Sequence, residues 1–229
     1  MTIAENLEKV KNTLPEGVTL IAVSKTKPVA DLQEAYDAGQ RIFGENKALE
    51  MRDKHEVLPK DIEWHFIGHL QTNKIKYIAP YVSLIHSVDS MNLLTEIDKE
   101  AKKRGRTIDC LLQFHIASEE TKFGLDLTEA EEILLSPIFN TLKNVNIAGV
   151  MGMATNTSDT ELIHNEFRNL KNIFDTLKNK YFADRSDFRH ISMGMSGDYP
   201  IAIEEGSTLV RVGSAIFGAR DYGVPVNDK

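Results

Sequence analysis

The chain has 229 residues, and its 27 Lys+Arg against 34 Asp+Glu leave a net charge of −7. That acidic balance excludes a broad basic footprint for nucleic acid or an anionic membrane surface. The lone cysteine, Cys110, excludes an internal disulfide and a multi-cysteine metal cluster, and points to a reducing, cytoplasmic setting.

In chain order, Met1-Thr2-Ile3-Ala4-Glu5-Asn6 lacks the basic start and apolar stretch of a secretory signal. No later run approaches the roughly 20 apolar residues that span a bilayer. A helix at about 3–13 precedes a first strand at 20–25, whose Leu20-Ile21-Ala22-Val23 is continuously apolar. Runs of that kind mark strands covered on both faces, as parallel sheets require. Leu32, Ala35, Tyr36 and Ala38 then fall near one helical face, and Gly39 stops the helix. Strands are expected at 41–46, 63–68 and 84–89. A helix at 93–104 carries Leu93, Leu94, Ile97 and Ala101 and ends at Gly105. A strand at 108–116 is followed by the capping-box pattern Thr128-Glu129-Ala130-Glu131. After a strand at 145–154, Ser158-Asp159-Thr160-Glu161 repeats that pattern before a helix at 161–181, whose apolar stripe includes Phe167, Leu170 and Leu177. The last strands are expected at 188–196 and 209–218. Pro200 opens a helix between them and Gly206 closes it.

No low-complexity linker divides these units, so one domain is expected over 1–229. Eight strand–helix units fit a (β/α)8 TIM barrel or an open doubly wound sheet, and spacing alone leaves both open. Both folds gather ligand groups at the C-terminal ends of the strands. Lys25 closes the first apolar run there. In a partly dry pocket its amine would lose its proton more readily and attack a carbonyl; alternatively it snorkels to water beside Lys27. Ser196-Gly197-Asp198 leads from the seventh strand into a helix, and Gly213-Ser214-Ala215 follows the eighth. Barrels often hold phosphate with these two loops, although each also reads as a tight turn. Arg211 interrupts the apolar Leu209-Val210-Arg211-Val212, so it faces either a glutamate or a ligand acceptor. His65 and His69 lack the helical context of a metal pair. No Walker loop, G-x-G-x-x-G or G-x-S-x-G appears. The Met151, Met153, Met193 and Met195 cluster reads first as core filling.

Several segments, in order, resemble the pyridoxal-phosphate homeostasis protein family. They are Ala22-Val23-Ser24-Lys25, Phe43-Gly44-Glu45-Asn46, the run from Trp64 to Lys74, Ile85-His86-Ser87-Val88-Asp89, Gly149-Val150-Met151-Gly152-Met153-Ala154, Ser192-Met193-Gly194-Met195-Ser196-Gly197-Asp198 and the run from Val210 to Gly218. The likeness extends from about residue 20 to residue 222. It implies the barrel of the alanine racemase N-terminal domain, with pyridoxal 5′-phosphate (PLP) held as an exchangeable Schiff base on Lys25. It further implies that Ser196, Gly197, Gly213 and Ser214 hold the phosphate and that Arg211 approaches the pyridine nitrogen. Asn46, His65 and Met193 would join the pocket wall. Two positions depart from the family pattern. Lys47 stands where an aromatic residue is common after Gly-Glu-Asn, and Gln113-Phe114-His115 stands where Gln-Val-Asn is usual.

The resemblance implies a PLP carrier that serves vitamin B6 homeostasis, with PLP-dependent apoenzymes as partners and the monomer as its expected state. One alternative is an amino-acid racemase. Racemisation needs a base on each face of the substrate carbon. The second domain and opposing tyrosine that racemases of this barrel use are not expected here. A further alternative, setting the likeness aside, is a Schiff-base aldolase.

Overall fold

The structure of the chain, a computed structural model, describes residues 1–118 and 123–219. The far ends of the expected domain and of the family likeness therefore lie outside the described residues.

Helix α1 (Ile3–Lys11) opens the chain. Thr2 Oγ1 accepts from the Glu5 N–H, and the Glu5 carboxylate accepts from the Thr2 N–H, closing a capping box. Next come β1 (Thr19–Val23), α2 (Val29–Asp37), β2 (Ile42–Glu45), α3 (Ala48–Val57), β3 (Glu63–Phe66) and α4 (Ile75–Ile78). They are followed by β4 (Leu84–Val88), α5 (Met91–Lys102), β5 (Ile108–Phe114), α6 (Leu127–Leu135) and β6 (Val145–Gly152). The described chain finishes with α7 (Thr160–Tyr181), β7 (His190–Met195), α8 (Tyr199–Glu204), β8 (Leu209–Val212) and α9 (Ser214–Phe217).

Neighbouring strands pair in chain order, and β1 pairs in parallel with β8, with Thr19 opposite Leu209 and Ala22 opposite Val212. That last ladder closes the sheet. The fold is a (β/α)8 barrel with an extra N-terminal helix, and the open doubly wound alternative is overturned. Strand alternation sorts the side chains into two cores. Ile21, Leu84, Leu111, Ala148, Met151 and Leu209 pack inside the barrel. Trp64, Phe66, Ile85, Val210 and Val212 join the larger core between sheet and helices.

All eight expected strands are present, but their ladders end earlier than the apolar runs do. β1 stops at Val23, leaving Lys25 in the following turn, and residues 214–217, read as strand, form α9. Two caps also move. Asp159, not Ser158, caps α7, and Asp126 with Glu129, rather than Thr128 with Glu131, boxes the start of α6. A charged acceptor suits the positive end of a helix better than a hydroxyl does. No helix among the described residues is long and apolar enough to cross a membrane.

Candidate functional site

A cavity of about 240 Å³ opens at the C-terminal ends of the strands. Seven of the residues expected at a site line it: Lys25, Asn46, Ser196, Gly197, Arg211, Gly213 and Ser214. They come from the start, the first third and the end of the chain, brought together by closure of the barrel.

Lys25 is half-buried in the turn after β1. Lys27, two residues further on, lines the same cavity. Lys27 Nζ donates to the carbonyls of Phe217 at 2.8 Å and Ala219 at 2.9 Å, so it also holds the end of α9. Asn46 follows β2, and its Oδ1 is buried with no partner among the described residues. Ser196 Oγ accepts from the Gly213 N–H at 3.1 Å and so ties the two loops after β7 and β8 together. A side chain at Gly197 would meet only open space.

Arg211 is buried at 4% exposure in β8. Its Nη1 donates to Ser192 Oγ at 2.6 Å and its Nη2 to the Gly152 carbonyl at 3.1 Å. Among the described residues no carboxylate forms an ion pair with it. Burial lowers its pKa to about 10, with Asp198 acting in the opposite direction, so the guanidinium stays charged at neutral pH.

Two expected pocket residues lie elsewhere. Met193 belongs to the core between sheet and helices, because the phase of β7 gives the inward position to Ser192 instead. His65 does face the interior, but it is absent from the cavity lining and its ring joins a buried chain. His65 Nδ1 lies 3.0 Å from His86 Nε2, and His86 Nδ1 lies 2.9 Å from Ser192 Oγ. β4 and β7 are not neighbours in the barrel, so the His86–Ser192 bond crosses its interior. Arg211 is thus backed by a polar chain drawn from β3, β4 and β7.

Sequence reading missed His86 and Ser192 as a unit, and it missed Lys27, Ile67, Met153 and Met195 in the lining. A usable signal was present for His65 and His86. His65 lies between Trp64 and Phe66, and His86 follows Leu84 and Ile85, so both rings fall in apolar surroundings where an unpartnered one would be costly.

Residues 1–221 match the family model described as alanine racemase, N-terminal domain. A pyridoxal phosphate homeostasis protein of Aquifex aeolicus (strain VF5) is 40% identical over 204 residues, covering 89% of this chain and 87% of that one. The protein of the same name from Escherichia coli (strain K12) is 36% identical over 234 residues, covering 96% and 97%. Among solved structures, PipY of Synechococcus elongatus PCC7942 without PLP superposes with a TM-score of 0.87 at 37% identity, covering 95% of this chain and 100% of that one. PipY with PLP bound gives 0.84 at 36% identity. Alanine racemase from E. faecalis shares the fold at 16% identity and a TM-score of 0.75, with 57% of that chain covered.

Proposed function

The chain belongs to the alanine racemase N-terminal domain family and, within it, to the pyridoxal phosphate homeostasis proteins, and from that membership we propose that it binds PLP through Lys25 and serves intracellular PLP homeostasis. One observation carries the reading: a lysine and a buried arginine that has no ion pair among the described residues line the same cavity, beside two small-residue loops tied to each other. PipY, which has been solved with PLP bound, supports it.

The residues fit the cofactor. When bound, PLP supplies an aldehyde that condenses reversibly with a primary amine, a pyridine ring and a phosphate. Lys25 would hold the aldehyde end. Ser196, Gly197, Gly213 and Ser214 would hold the phosphate, with Gly197 leaving open space for it. Asn46 Oδ1 offers an unused acceptor at the cavity wall. Arg211 would face the ring nitrogen as a donor. Its charge opposes a proton there, because two like charges would meet in a buried site. A ring kept neutral withdraws electrons weakly, which suits holding and releasing a cofactor more than carbanion chemistry.

In this reading the protein works as a monomer in the cytoplasm and passes PLP to apoenzymes. Cys110 is a buried free thiol, which suits a reducing compartment. The test is chemical. Protein loaded with PLP and treated with borohydride should carry a pyridoxyl group on Lys25, located by peptide mass spectrometry, and Lys25→Ala should carry none. An unmodified Lys25 in the wild type defeats the proposal. Handover is checked separately, by whether an apoenzyme is reactivated faster than PLP is released spontaneously into buffer.

A further inference from the structure

The turn that carries Lys25 is gripped from outside on both sides of that residue. On one side, the Ser24 carbonyl accepts from Lys54 Nζ at 2.8 Å, and Ser24 Oγ donates to Glu45 Oε1 at 2.6 Å. On the other, the Thr26 N–H donates to Glu50 Oε1 at 2.6 Å. Lys54 Nζ also donates to Glu45 Oε1 at 2.7 Å and to Glu50 Oε1 at 2.8 Å. Each of its three protons therefore has an acceptor. Glu45 ends β2, while Glu50 and Lys54 lie one turn apart on α3, so a strand end and a helix reach the turn together.

Two features set this cluster apart from a surface ion pair. Lys54 and Glu45 are buried, at 5% and 0% exposure. A buried charge is kept only where its partners compensate its lost hydration. Thr26, the residue they help to hold, has φ of +65°, the left-handed region that a β-branched residue rarely enters. Strained backbone of this kind persists where its surroundings over-determine it.

We propose that Lys54, Glu45 and Glu50 form a positioning cluster for Lys25: they hold the left-handed turn at Thr26 and thereby aim the Lys25 amine into the cavity. The inference rests on Lys25 being the amine that bonds PLP. It assigns these three residues no contact with the cofactor. Their effect should therefore fall on covalent attachment and leave recognition of the ring and phosphate intact.

Pyridoxine 5′-phosphate separates the two, because it has the ring and phosphate of PLP but no aldehyde. In Lys54→Met and Glu50→Ala, the equilibrium between noncovalent and Lys25-linked PLP should shift about tenfold toward the noncovalent form, a factor near the low end of the strain expected for a left-handed non-glycine residue. Affinity for pyridoxine 5′-phosphate should stay within about twofold, since the loops that hold the phosphate are untouched. Glycine enters the left-handed region without strain. Thr26→Gly placed on Glu50→Ala should therefore restore part of the lost linkage. Should Lys54→Met not fold, Glu50→Ala and its Thr26→Gly derivative carry the test. Equal losses for PLP and pyridoxine 5′-phosphate would make the cluster merely structural, and unchanged linkage in Glu50→Ala would remove its role; either overturns the inference. Failure of the wild type itself to bond PLP at Lys25 would instead overturn the functional reading beneath it.

Discussion

A guanidinium taken out of water is expensive, and Arg211 shows one way a barrel offsets that cost. Ser192 Oγ accepts from the guanidinium at 2.6 Å and stands 2.9 Å from His86 Nδ1. With both histidines neutral, one donor order serves the whole chain: arginine to serine, serine hydroxyl to His86, and His86 Nε2–H to His65 Nδ1. Neutrality is imposed by the site. Burial lowers the pKa of His65 to about 3, helped by His190. Burial also pulls His86 well below its ordinary value, helped by His65, Arg211 and His190. The unfolded chain binds protons at these two residues below about pH 6.5, whereas the folded chain does not until far lower. Stability should therefore fall as the pH drops from 6.5 toward 3, by about 1.4 kcal/mol per pH unit for each histidine. Urea unfolding at pH 7.5, 6.5, 5.5 and 4.5 tests this, with His65→Leu expected to flatten the dependence. Parallel slopes for variant and wild type would mean that His65 does not stay neutral in the fold.

Elements were legible in the sequence where burial and backbone pairing coincide, and less so where they part. Leu20–Val23 and the apolar start of β8 announced their strands because both faces are covered. Ile216 and Phe217 read as strand because they are apolar, and they are buried, but they belong to α9. Apolarity reports burial, not hydrogen bonding. Lys25 and the two phosphate-type loops were recognisable because each is local in sequence. The His65–His86–Ser192–Arg211 chain was not, since its bonds join residues 106 apart (His86–Ser192) or lie across separate strands. The grip of Glu45 and Lys54 on Ser24 was hidden for the same reason. One element-level device can be tested directly. Gly194, at φ of +94°, lets α8 pack against the end of β7; a Cβ there would stand 2.6 Å from Ala202 Cβ and 2.9 Å from Tyr199 Cα. Gly194→Ala should push α8 off the strand and carry Ser196 and Gly197 with it. A stability loss of about 1–3 kcal/mol is expected from the strained backbone alone. Affinity for pyridoxine 5′-phosphate should drop toward that for pyridoxine, as measured by calorimetry. An undiminished preference for the phosphorylated form would show that the loop after β7 does not hold the phosphate.

Closure of the barrel joins the two ends of the described chain, and the cavity lies across that joint. Lys25 and Lys27 follow β1, Arg211 and Gly213 belong to β8 and its end, and β1 pairs directly with β8. The same seam is reinforced from outside: Asn6 Nδ2 on α1 donates to the Ile216 carbonyl on α9 at 3.0 Å, and Lys27 holds the end of α9. A ligand that touches both sides of the seam can bind only the closed barrel, so binding and folding are linked. At a free ligand concentration a hundredfold above its Kd, unfolding should become harder by about 2.7 kcal/mol. PLP is a poor probe for this, because its aldehyde also reacts with lysines of the unfolded chain and reduces the gain. Pyridoxine 5′-phosphate lacks that reaction and should give the full increment in urea unfolding, read as a higher midpoint at constant slope. Lys25→Ala should keep the increment, since it retains the seam and the phosphate loops, whereas Gly194→Ala should lose much of it. A midpoint that does not move at saturation would place the ligand somewhere other than across the joint between β1 and β8.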